Sequence, residues 1–137
     1  MKKKGQIGIE YMIVVGFITL AIISVLGFSI FFSNSIKDRV RLNQAESYAV
    51  GLINSAEAVF FAGEPSKKTI KLYLPEGVND IYIDNEYTLI VDMTTSSGPN
   101  IRAFSSDVPM MGTLTPGDGT RNIVLIAESD HVNVTEV

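Results

Sequence analysis

Residues 11–32 read YMIVVGFITLAIISVLGFSIFF, twenty-two positions without one charge, and nothing else in the chain restricts its fold as tightly. A helix of that length rises roughly 33 Å, enough for a bilayer core of about 30 Å. The run is longer than the apolar core of about 7–15 residues in an ordinary secretory signal, and an amphipathic pattern takes the place of any loop after it. The lysines of MKKKG ahead of it are expected to stay on the cytoplasmic side, which sends the C-terminal part outside. Within 137 residues there is room for one further domain and not two.

Composition narrows the function. Lys+Arg number 11 against Asp+Glu 15, a formal charge of −4, so no basic face is expected and no nucleic-acid partner. The chain has no cysteine, hence no disulfide and no thiolate metal site. Neither HExxH, a P-loop, GxGxxG nor a cysteine nucleophile occurs, so no catalytic residue, metal or cofactor is expected and the chain does not read as an enzyme. His131 stands alone and is expected at the surface. Asp80, Asp84 and Glu86 fall on one side of a hairpin, but they lack the dense aspartate spacing of a calcium loop and read as a solvated strand face. Asp118, between glycines, is turn chemistry.

One residue does not suit a plain membrane anchor. Glu10 sits at the edge of the apolar run, where a carboxylate costs up to about 2.5–3.5 kcal/mol on insertion scales, less near the interface. Such a group calls for a partner. The stretch Lys4-Gly5-Gln6-Ile7-Gly8-Ile9-Glu10-Tyr11 resembles the class III signal peptide of archaeal type IV pilins. The resemblance covers about the first thirty residues, with basic leader, glycine, glutamine, glutamate and apolar run all in register; beyond residue 35 it is architectural only. It implies a prepilin peptidase cut between Gly5 and Gln6, a membrane assembly platform with its ATPase, and identical subunits as partners in a helical filament. Gln6 then becomes the mature N-terminus, with a new α-amine of pKa near 8. Glu10 of an incoming subunit could pair with that amine on its neighbour, penalising a subunit docked at the wrong axial offset. Cyclisation of Gln6 to a neutral lactam would remove that charge. Cleavage takes three lysines away and leaves an acidic chain, which suits an exterior surface.

Beyond the apolar run, whose Gly16, Thr19, Ser24 and Gly27 let helices approach closely, the pattern changes. Ile36, Val40, Tyr48, Leu52, Ala56, Val59 and Phe60 recur mostly at three- and four-residue steps and predict an amphipathic continuation of the helix. Gly63-Glu64-Pro65-Ser66 stops it. Four segments follow: a leader at 1–5, a hydrophobic membrane or filament-core helix at 6–35, an amphipathic helix at 36–65 and a β-rich head at 66–137. The fold class is therefore α+β, one helix from about residue 6 to 62 packed on an antiparallel sheet or β-sandwich. Strands are expected at 69–74, 80–84, 87–93, 101–104, 122–127 and 131–135, with Asn85-Glu86 as a hairpin turn and residues 94–100 as a polar loop. Val40, Tyr48, Leu52 and Phe60 are expected to complete the core of a head too small to be secure alone.

Two functions fit these readings. The first is a structural subunit of a cell-surface pilus-like filament for adhesion or attachment, held in the bilayer as a precursor and extracellular when assembled. The second is a monomeric, membrane-anchored extracellular binding module, with a minor or accessory pilin between them. Asn133-Val134-Thr135 is the sole N-x-[ST] sequon and marks Asn133 as a candidate glycosylation site.

Overall fold

The structure, a computed structural model, describes the backbone of residues 4–137 and the side chains from Gly8 onward. It comprises two compact units, one ending at Lys37 and the other Asp38–Val137. Helix α1 (Lys4–Ala62) carries the apolar run and continues through the amphipathic stretch. It ends at the sequence stop: Gly63 adopts φ 77°, a left-handed value that suits glycine at a helix C-terminus. There the Gly63 N–H donates to the Phe60 carbonyl at 3.0 Å, and the Ser66 N–H to the Gly63 carbonyl at 2.9 Å.

Seven strands follow: β1 (Lys67–Leu74), β2 (Val78–Asp84), β3 (Thr88–Thr95), β4 (Gly98–Ser105), β5 (Met110–Thr113), β6 (Gly119–Ala127) and β7 (Val132–Glu136). They form a four-stranded sheet in the order β1-β6-β7-β5 and a three-stranded sheet in the order β2-β3-β4. All pairs are antiparallel except β5 with β7, which run parallel. The α+β class holds, with a mixed larger sheet.

Strand alternation puts one face of each sheet on a common core. Leu89, Val91 and Met93 of β3, Ile123 and Leu125 of β6, and Val132 and Val134 of β7 are buried, together with Ala45, Tyr48, Ala49, Leu52, Ile53, Ala56 and Val59 of α1. The helical set steps by three and four, so small alanines alternate with larger side chains along one stripe. Val40, expected in this core, is 48% exposed. At about 100° per residue it lies roughly 150° from the centre of the buried stripe, so its spacing from Tyr48 misled. Phe60 packs against the core half-buried.

The expected polar loop at 94–100 is also corrected. Thr94 and Thr95 pair with Pro99 and Gly98, so β3 runs longer, β4 starts earlier, and only Ser96-Ser97 turns. Pro99 is tolerated because β4 is an edge strand, where a missing donor goes unnoticed. The β2–β3 turn takes three residues, since Asp84↔Thr88 is its last pair, with Asn85 and Glu86 at φ 49° and 65°. The carbonyls of Glu86 and Tyr87 then accept the Met110 and Ser106 N–H groups at 2.7 and 2.8 Å, which docks the β4–β5 connection on this turn.

Candidate functional site

In the first unit α1 is uncharged and predominantly apolar on every side from Tyr11 to Phe32. From Ile9 to Phe32, seventeen large hydrophobic side chains are between 42% and 75% exposed. The helix is long and apolar enough to cross a membrane by length and composition. The Thr19 and Ser24 hydroxyls donate to the Val15 and Leu20 carbonyls four residues back, at 2.7 and 2.8 Å. Each hydroxyl is thereby satisfied inside its own helix, the arrangement an apolar medium demands. Nothing lies within 4 Å of where a Cβ would stand on Gly8, Gly16 or Gly27. Ser24, Gly27, Phe28 and Phe31 line a shallow open groove. Glu10 is exposed on this helix, while the side chains of Gly5 and Gln6 lie outside the described residues.

In the second unit, polar groups on α1 grip the turns and edges of the head. Arg41 pairs with Glu76 of the β1–β2 turn at 2.7 Å, and Arg102 of β4 with Glu46 at 3.2 Å. The Asp107 N–H donates to the Glu57 carboxylate at 3.2 Å. Asp38 accepts from the Ser96 N–H at 3.0 Å and from its hydroxyl, and these two bonds hold its carboxyl below the usual value. At the far end of the sheet, burial pushes the Glu136 carboxyl up. The Thr115 hydroxyl and N–H, at 2.6 and 2.9 Å, and the Arg121 guanidinium, at 2.7 Å, outweigh that and hold it low. Burial pushes the neighbouring Tyr48 phenol up to about 12, so it stays neutral. None of this wiring was legible in the sequence, because its partners are up to 58 residues apart.

The remaining candidate side chains are engaged mostly by near neighbours in sequence. His131 is more enclosed than expected, its side chain 16% exposed between Asp130 at 2.7 Å and Glu128 at 3.4 Å. Among the described residues no group of three histidine or acidic side chains could hold a metal ion. Asp80 and Asp84 accept from their neighbours, the Ile81 N–H and the Asn85 amide. Asn133 sits in β7, an interior strand, half-buried. Its amide donates to Glu128 at 3.1 Å, and Thr135 donates to its carbonyl oxygen at 3.3 Å. No family model, curated protein or solved structure matches the chain.

Proposed function

We propose that the chain is a structural subunit of an extracellular type IV pilus-like filament. It is made as a membrane-held precursor with its β head outside, cut between Gly5 and Gln6, and assembled through α1. The supporting observation is the uncovered apolar surface of residues 9–32. Full burial of one large hydrophobic side chain gains about 1.5–3 kcal/mol, and a helix already shields part of each. At about 1 kcal/mol for each of the seventeen, roughly 17 kcal/mol is lost in water. That exceeds the 5–15 kcal/mol of stability typical of a whole domain. The segment therefore needs lipid or other copies of itself, and a filament core supplies the second after the bilayer has supplied the first. Surface attachment follows as a property of the polymer.

The test is N-terminal mass spectrometry on chain recovered from sheared cell-surface material. A mature end at Gln6, intact or cyclised, in polymeric material is the expected result. Uncut ends found only in the membrane fraction would overturn the reading and leave a monomeric anchored module.

A further inference from the structure

The two outward sheet faces of the head carry opposite charge. Between Asp38 and Val137 there are seven basic residues against fourteen acids, so a sheet face whose strands carry lysine and no acid runs against the average. Strand alternation makes one. Ile70, Leu72 and Leu74 of β1 turn toward the core, which leaves Lys67, Thr69, Lys71 and Tyr73 on the outer side. The strands paired beyond β1 add Thr, Asn, Val, Ile and Met to that face, and no acid. Glu128, just past the end of β6, borders this face through the amide of Asn133 and is also paired with His131. Neither Lys67 nor Lys71 is in an ion pair among the described residues, whereas Arg41, Arg102 and Arg121 all are.

The outer face of the three-stranded sheet is the reverse. Ile81 of β2 and Val91 and Met93 of β3 are buried, so Asp80, Tyr82 and Asp84 face outward beside Asp92, with no lysine or arginine on that face. Asp80 stands directly opposite Asp92 across the ladder, an unfavourable like-charge pair. One Asp92 oxygen is buried without a hydrogen-bond partner. The spacing also corresponds. Lys67 and Lys71 are four residues apart on an edge strand, and so are Asp80 and Asp84, each pair about 13 Å along the strand. Exposed Tyr73 and Met111 on one face, and Tyr82 and Ile101 on the other, add apolar area of the kind enriched in interfaces.

We propose that neighbouring copies of this chain meet head to head through these unlike faces, with Lys67 and Lys71 of one copy set against Asp80 and Asp84 of the next. The proposal deepens the filament reading and rests on it. Like faces repel, lysine on lysine or aspartate on aspartate, so a closed twofold dimer through either face is disfavoured. Contact between two different faces leaves one free at each end, and repeats into an open helix when its rotation does not close.

The experiment uses the full chain in cells, comparing sheared and membrane fractions. Reversing one face with Lys67→Glu and Lys71→Glu, or the other with Asp80→Lys and Asp84→Lys, is expected to cut the sheared polymer at least about tenfold. Combining all four restores complementarity, and recovery to within about twofold of the native amount is expected. Because the chain has no cysteine, chains carrying Thr69→Cys and chains carrying Tyr82→Cys can be co-expressed to report contact without altering charge. Cross-linked dimers between unlike faces are expected, with none from either variant expressed alone. Polymer that forms without unlike-face cross-links and without rescue by the fourfold variant overturns the face pairing and leaves the filament reading standing. Unlike-face cross-links confined to membranes, with no polymer from the native chain, uphold the pairing and overturn the filament. Absence of both polymer and cross-links overturns both.

Discussion

Gly112 is the position in the head where one added carbon should do most damage. It lies in β5 opposite Val134 of β7, at φ 149°. A Cβ there would stand 1.9 Å from the Val134 carbonyl oxygen and 2.8 Å from its carbon. Both are backbone atoms of an interior strand, so no rotamer change relieves the clash and the β5–β7 pairing must open. The glycine-only conformation costs about 1–3 kcal/mol and the overpacking a further 1–3 kcal/mol, giving about 4 kcal/mol for Gly112→Ala. Gly98→Ala is the control: Gly98 is also a strand glycine, at φ 119°, but nothing lies within 4 Å of its Cβ position. It bears only the conformational part, partly offset by a less disordered unfolded chain. The assay is pulse proteolysis of the detergent-solubilised full chain across a urea series, reading loss of the intact head. With a slope of about 1.5 kcal/mol per molar urea, Gly112→Ala should lower the midpoint by about 2–3 M and Gly98→Ala by less than about 1 M. Equal shifts for the two variants would refute the steric argument.

Three further outcomes are expected. Glu136→Gln should cost about 1–3 kcal/mol near neutral pH by weakening charge-assisted bonds from Thr115 and Arg121. Since the folded carboxyl is held below its ordinary 4.5, that stabilisation is complete above about pH 4.5 and fades as pH falls through the folded value. Urea midpoints of the two proteins should therefore converge on acidification. Gly51→Ala should change stability by less than about 1 kcal/mol: its Cβ meets the end of the Leu72 side chain at 3.0 Å, and the helix gains about 1 kcal/mol in propensity. Gly51→Leu in the same denaturation assay should cost more than about 2 kcal/mol, since Leu72 has no comparable room to give. Under the filament reading, Glu10→Ala should leave the precursor cleaved but deplete sheared polymer, read by immunoblot of the two fractions; undiminished polymer would remove any register role for Glu10.

What was legible in the sequence follows from how local each signal is. The uncharged run and the stop at Gly63 are set by consecutive residues, and α1 appears with nearly the expected limits. The β2–β3 hairpin was legible because Asn85 tolerates a left-handed backbone and alternating apolar residues flank it. Strand β5 was not, because Met110–Thr113 is only four residues long and draws its order from a parallel partner twenty-two positions away. The beginning of β4 was hidden by Pro99, which reads as a loop residue unless its strand is known to be an edge. On α1, the steps to Tyr48 and Leu52 were right, but Ala45 and Ala49 carry the stripe and are too small to announce it. The polar grips of Asp38, Arg41 and Glu46 stayed invisible for another reason: a charge on a helix looks solvated until its distant partner is placed.

The balance of forces on the filament reading assigns separate tasks to the two units. In lipid, hydrocarbon tails are as apolar as leucine, so moving residues 9–32 from bilayer to a bundle of like helices changes little in apolar exposure. The run can confine a subunit to an apolar core without fixing where along that core it stops. Thr19 and Ser24 have already given their hydroxyl hydrogen bonds to their own helix, so those two donors are not free to set an offset. Order must come from groups that lose free energy when misplaced. Glu10 is one, since a carboxylate left unpaired in an apolar core is costly. The head offers the others, because a lysine pair facing an aspartate pair at the same spacing is satisfied in one alignment, and a slip along the strand removes that match. A filament built this way would loosen with added salt at its exposed head contacts, where screening over about 8–10 Å acts, while its apolar core stayed intact.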